Sequence, residues 1–129
     1  MPIPKREIQL AQEAMKILRK LTYDDLPYKE QREFKSYLNG LPSSISQNGL
    51  LQTMAFMKTK DHKSKALFDG LNEYFKPDDV GSFDFVKYIS EQVDDMHKYV
   101  LLQKEAIDLT LKIKQLANAF IKQPPAEKK

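Results

Sequence analysis

The chain contains no cysteine and no tryptophan, and only four of its 129 residues are glycine. Without cysteine it has no disulfide framework, no thiolate metal site and no cysteine nucleophile, which fits a reducing compartment. The few glycines and the seven prolines exclude a collagen-like or low-complexity chain. No apolar run approaches the ~20 residues that span a bilayer, and the N-terminus lacks the apolar region of a secretory signal. We therefore expect a cytoplasmic protein that does not enter a membrane.

The residues that are present suffice for one hydrophobic core. Of the residues, 41% are hydrophobic and 30% are charged. A chain of this length corresponds to about one domain and buries roughly two-thirds of its unfolded surface. We expect a single helical domain over residues 1–129, folded over about 6–121 and with short flexible ends.

Apolar residues recur at helical spacing along nearly the whole chain, and no segment alternates as a strand does. Asn39-Gly40 and Asn48-Gly49 are typical helix stops, and the segment 50–58 is apolar almost all round, which predicts the most buried helix. The pattern predicts an all-α bundle of about six helices with a long C-terminal helix. The predicted helical segments are 6–21, 28–38, 41–47, 50–58, 64–75, 83–93 and 94–120.

A search for catalytic chemistry finds little. No phosphate-binding glycine loop is present, and the serines lack the context of an activated nucleophile. His97 lies close in sequence to Asp94 and Asp95, a set that suits a divalent metal. Acidic residues at the start of a helix are more simply explained as caps. We expect no catalytic residue, no metal and no cofactor, and an enzyme built on His97 is the least favoured alternative.

The positive charge is concentrated in the first half of the chain. Residues 1–65 hold 12 Lys and Arg against 7 Asp and Glu, whereas residues 66–129 hold 9 against 11. If the first helices pack side by side, their cations form a groove that follows a phosphate backbone without reading bases, and Tyr23, Tyr28 and Tyr37 are available to stack on unpaired bases. The alternative for the basic residues is an ordinary solvated helix surface. The alternative for Tyr37 is a place in the hydrophobic core. The residues predicted to contact RNA are Lys16, Arg19, Lys20, Lys58, Lys60 and Lys63.

One ordered set of motifs resembles a known family. Leu41-Pro42 opens a short helix, Asn48-Gly49-Leu50 follows, and an apolar helix then ends near Ala55-Phe56. This order is similar to that in the small helical subunit of the Cmr-type (type III-B) CRISPR effector complex. Phe34, Tyr37 and the last helix, with Ala117 and Phe120, also agree with the pattern of this family. The resemblance therefore covers about residues 6–121.

The resemblance implies an all-α, non-catalytic subunit for antiviral defence. Such subunits stack with copies of themselves as a minor filament beside larger subunits. Guide RNA and single-stranded target RNA run between the filaments, and other subunits cut the RNA. The six basic residues above come from the charge pattern and not from the family motif; of them, only Lys58 lies at the matched segment. A helical protein–protein adaptor with no nucleic acid role is the alternative.

Overall fold

The computed structural model describes residues 5–122, and most of the predicted flexible ends lie outside that range. Between residues 5 and 122 no strand occurs, so the predicted all-α fold of about six helices with a long last helix is confirmed. The elements are α1 (Lys5–Lys20), a 3₁₀ turn (Tyr23–Asp25), α2 (Tyr28–Asn48), α3 (Leu50–Thr59), α4 (His62–Phe75), α5 (Phe85–Gln92) and α6 (Met96–Ala119).

The long helix α6 organises the packing, because it lies against both α1 and α2. Its buried face includes Ala106, Leu109, Ile113 and Ala117, which recur at the three- and four-residue spacing of one helix face. The shorter helix α3 contacts α2, α4 and α5 and buries Met54 and Met57. The core therefore lies between α6 and the helices around it, and the charged faces of α1 and α2 remain on the outside.

The start of α1 is tied to α6 by a polar network. The Arg6 guanidinium donates to Glu105 and to Asp108, at 2.8 Å each. The Tyr74 hydroxyl of α4 donates to the other oxygen of Glu105 at 2.5 Å. Burial raises the pKa of Tyr74, and the hydrogen bond to Glu105 acts in the same direction. Because Arg6 is exposed, this network stabilises the fold only modestly; its effect is to fix the position of α1.

Helix α2 corrects one sequence prediction, because it runs without a break through the expected stop at Asn39-Gly40 and through Pro42. Leu38, Leu41 and Ile45 continue the buried face that begins at Phe34, so their burial favours a continuous helix. The proline removes one backbone N–H from the helical ladder, but the helix continues past it. The predicted separate helix at 41–47 is therefore the end of α2.

The stop predicted at Asn48-Gly49 is confirmed, and it separates α2 from α3. Gly49 has φ 89°, a conformation that favours glycine. The first amides of α3 are then capped by α6: Leu50 N–H donates to Gln103 Oε1 at 3.0 Å, and Leu51 N–H donates to the Tyr99 hydroxyl at 3.2 Å. This cap comes from residues about fifty positions away, which is why local sequence did not predict it.

The other prediction for this region, that α3 is the most buried helix, is confirmed: four of its ten residues are buried, the largest share of any helix between residues 5 and 122. The placement of Phe56 in the core is wrong, because its side chain is 60% exposed.

Gly40 offers a test of the continuous α2. A Cβ added at this exposed residue would meet nothing within 4 Å. Gly40→Ala is therefore expected to raise the free energy of unfolding by about 0.5–1 kcal/mol, because alanine is the better helix former. Thermal unfolding followed by circular dichroism should show a midpoint higher by about 2–6 °C.

Gly49→Ala is the matched control, and it should lower stability. At Gly49 the same methyl would meet a positive φ and the Tyr99 hydroxyl at 3.2 Å. Destabilisation by Gly40→Ala would instead favour a turn at Asn39-Gly40.

Candidate nucleic-acid interface

The end of α1 carries three of the six predicted RNA-contacting residues. Lys16 and Lys20 are one helical turn apart on the same side and line a shallow cavity of about 530 Å³ between α1 and α4. Glu13, Glu73 and Asp78 line that cavity too, so its charge is mixed. Lys16 lies 3.7 Å from Glu13 in an exposed ion pair of little strength.

Arg19 lies on the neighbouring side of α1, outside the cavity that Lys16 and Lys20 line. It borders a small cleft lined also by Tyr23, Asp24 and Phe120. Arg19 and Lys20 are both exposed, and neither forms an ion pair with a carboxylate of residues 5–122. Their charges are thus available to an anion from outside the chain.

Lys58 points towards the start of α5. Its ammonium lies 2.6 Å from Oδ2 of Asp84. Asp84 also caps α5, because its other oxygen accepts the Val86 N–H at 3.0 Å. The hydrogen bond from Lys58 is the main reason that the pKa of Asp84 is lowered. Lys58 therefore supports the start of α5, and its charge is largely balanced within the chain.

Lys60 and Lys63 lie at the turn between α3 and α4, on the side of α2. Lys63 donates to Glu33 of α2 at 2.6 Å, and this bond lowers the pKa of Glu33. The Lys60 ammonium lies 5.0 Å from the ring centroid of Tyr37 and 5.4 Å from that of Phe56. These distances fit cation–π contacts, and Lys60 has no carboxylate partner within the described range.

The structure thus distributes the six residues over several places instead of one groove. Lys20 lies beside Ala66, Asp69 and Gly70 in the middle of α4, whereas Lys63 in the first turn of α4 reaches Glu33 of α2. Lys16 and Lys20 thus lie between α1 and α4, and Lys60 and Lys63 lie beside α2 near the start of α4. Arg19 and Lys58 each face elsewhere.

Of the three tyrosines predicted to be available for stacking, Tyr23 does not fit that prediction. It is 2% exposed, and its hydroxyl donates to the backbone carbonyl of Ala117 at 2.9 Å. Tyr28 and Tyr37 are half-buried. Burial raises the pKa of Tyr37, and a hydrogen bond to Ser64 acts in the opposite direction. Tyr37 therefore stays neutral at physiological pH. Part of its ring lines a cavity between α2 and α3, which Phe56 also lines.

Of the acidic residues before His97, Asp95 acts as a helix cap, as predicted. Asp95 accepts the Lys98 N–H at 3.1 Å at the start of α6. Within residues 5–122, no group of three or more histidine and carboxylate residues is arranged to hold a metal ion. None of the helices in that same range is long and apolar enough to cross a membrane.

These features define a small all-α protein with cationic helix surfaces. Residues 6–120 match the family model described as CRISPR-associated protein (Cas_Cmr5), and the chain belongs to this family, the small Cmr subunit of type III-B CRISPR effectors. The resemblance inferred from the Leu41–Lys58 motif is thereby confirmed, and its predicted extent, 6–121, agrees with the match. No curated protein and no solved structure matches the chain. Membership implies partnership with other subunits of the effector complex.

Proposed function

We propose that the chain is a non-catalytic, RNA-contacting small subunit of a type III-B CRISPR effector complex in the cytoplasm. It stacks with copies of itself into a minor filament beside larger subunits, and its basic surface helps to hold guide RNA and single-stranded target RNA. The observation that carries the proposal is the basic end of α1, on a chain whose residues 6–120 match this family.

The charges on α1 suit a phosphate backbone more than a base sequence. Its last turns present Lys16, Arg19 and Lys20 to solvent, and within residues 5–122 the latter two have no acidic partner. Exposed cations of this kind contact phosphates whatever the base sequence, and their binding depends strongly on salt. A subunit that accepts any guide or target sequence needs this behaviour.

Exposed apolar side chains at the α5–α6 junction support the protein-contacting part of the proposal. Val93, Met96, Val100 and Leu101 are each about half exposed or more, and Met96 reaches 78%. Neighbouring exposed apolar residues are typical of surfaces that meet another protein. This patch surrounds the start of α6, whereas Lys16, Arg19 and Lys20 end α1, so RNA and protein contacts use different surfaces.

Charge reversal at α1 tests the RNA-contacting role. We expect the triple variant Lys16→Glu, Arg19→Glu, Lys20→Glu to bind labelled single-stranded RNA at least tenfold more weakly than the natural chain. The natural chain should bind in the ~10⁻⁴–10⁻⁶ M range near physiological salt. Because each phosphate contact contributes about 0.7 to the salt slope for single strands, the variant's slope should fall by about 2. Fluorescence anisotropy over a salt series measures both quantities.

The matched control reverses three exposed lysines elsewhere: Lys87→Glu, Lys98→Glu and Lys104→Glu, on α5 and α6. It changes the net charge by the same amount, and screening over about 8 Å at physiological salt limits its effect at α1. An equal loss in both variants would assign the binding to net charge alone. Unchanged binding by the α1 variant would refute its RNA-contacting role.

A further inference from the structure

A groove between α2 and α3 has the shape of a ligand site. It encloses a cavity of about 520 Å³, within the ~300–1,000 Å³ range of small-molecule sites. Ser36, Gly40 and Ser44 recur every four residues along α2 and line the groove, and the space beside Gly40 is open. Small side chains at this spacing let a flat group approach the helix closely. The side chains of Tyr37 and Phe56 line the same groove.

Phe56 is the feature of this groove that folding does not explain. Its neighbours Met54 and Met57 are buried in the core, yet the Phe56 ring is 60% exposed. Leaving an aromatic side chain of this size in water forfeits the stabilisation that burial would give. An exposed ring that borders a cavity offers a flat face to a ligand.

The other groups around the cavity narrow the chemistry of that ligand. The ammonium of Lys60 lies within 5.4 Å of both aromatic ring centroids, so the cation and the rings meet at one end of the groove. Asn48 and Gln52 add two exposed amides, and among the described lining residues Lys60 alone is charged. Asp61, its neighbour in sequence, accepts the Ser64 N–H at 2.8 Å and caps α4. Aromatic faces, amide groups and one cation together fit a flat, polar-edged and anionic ligand.

We propose that this groove binds an unstacked base of single-stranded RNA together with its phosphate. The base stacks on Phe56 and Tyr37, its polar edge hydrogen-bonds the amides of Asn48 and Gln52, and Lys60 contacts the phosphate. Stacking of this kind tolerates any base, because every base has a π face. An apolar side chain from a protein neighbour would leave the amides and the cation unused. The inference rests on the proposed RNA-contacting function and adds a base-binding site to it.

Phe56→Ala separates base contacts from phosphate contacts. The probes are a labelled single-stranded RNA and a ribose-phosphate chain of the same length that lacks bases. We expect Phe56→Ala to weaken binding of the RNA about 5- to 100-fold, the effect typical of losing one stacked base, and to leave binding of the abasic chain unchanged. The salt slope should stay the same in this variant, whereas Lys60→Gln should lower it by about 0.7.

Two further variants test whether the effect of Phe56→Ala is specific to the groove. Met96→Ala removes an even more exposed apolar side chain at the start of α6 and should leave binding of both probes unchanged. Gly40→Leu should fill the open space beside α2 and reproduce the effect of Phe56→Ala, because leucine favours the helix and meets no atom at its Cβ.

The outcomes distinguish this inference from the function on which it rests. If the natural chain binds the RNA no more tightly than the abasic chain, or if Phe56→Ala binds RNA normally, the base site is wrong while phosphate binding stands. If the natural chain binds neither probe, the RNA-contacting function fails and the base site fails with it. Normal RNA binding by Phe56→Ala, with loss of the effector subunits that co-purify with the chain, would assign the groove to a protein neighbour.

Discussion

Replacing Phe85 by alanine is expected to lower the free energy of unfolding by about 3–5 kcal/mol. Phe85 is the first residue of α5 and is fully buried. Its ring stacks on Phe75 of α4 with centroids 4.2 Å apart, and the Phe83 ring lies 6.3 Å away. Alanine would leave a cavity where three aromatic rings now pack. Since domains are stable by only about 5–15 kcal/mol, this one change removes a large fraction of the total.

Phe56→Ala is the matched control for this prediction, because it makes the same chemical change on an exposed ring. We expect it to change stability by about 0.5 kcal/mol or less. Urea unfolding followed by circular dichroism at 222 nm gives both values, and the slope against urea shows whether the folded states stay equally compact. A cost below about 1 kcal/mol for Phe85→Ala would mean that α5 is not packed on α4 as described.

Most helices could be placed from sequence because their apolar spacing is regular and their ends carry recognisable residues. Asp95 begins α6 and Gly49 ends α2, in agreement with ordinary capping preferences. The prediction was wrong where tertiary burial outweighed a local stop. At Asn39-Gly40 the buried Leu38 and Leu41 on either side keep α2 continuous.

The candidate site was less predictable, because the sequence shows which residues are basic but not which of them pair with a carboxylate in the fold. The sequence predicts that Lys58 and Lys63 are available to RNA. In the fold, Lys58 pairs with Asp84 and Lys63 pairs with Glu33. These carboxylates are about thirty residues away along the chain, and no local pattern predicts such pairs. Phe56 was also missed, since an apolar residue in an apolar segment carries no signal of exposure.

The burial of Gln31 was also not predicted, although its position in the sequence indicates it. It lies between charged residues in sequence, yet it is three residues before Phe34 and seven before Leu38, on the same helix face. The structure buries it completely. Its side chain donates to the Tyr23 carbonyl at 2.7 Å and accepts the Lys122 N–H at 2.8 Å. One amide thus joins α2 to the 3₁₀ turn and to the chain that follows α6.

Gln31→Leu is expected to lower the free energy of unfolding by about 1–3 kcal/mol, because the Lys122 N–H loses its acceptor and the Tyr23 carbonyl keeps only the Leu26 N–H as a donor. Leucine has a similar size, so the loss of hydrogen bonds and not of volume dominates. Gln47→Leu, on the exposed face of the same helix, should change stability by about 0.5 kcal/mol or less. Urea unfolding measures both variants.

A local readout separates this role of Gln31 from general packing. Hydrogen exchange at the Lys122 amide should speed up in Gln31→Leu more than exchange in the middle of α6 does, because only Lys122 loses its acceptor. The Lys122 ammonium also donates to the Leu26 carbonyl at 2.7 Å, which holds the same end from the other side. Equal acceleration along α6 would mean that Gln31 stabilises the whole bundle through packing. Unchanged stability would show that water replaces both bonds at no net cost.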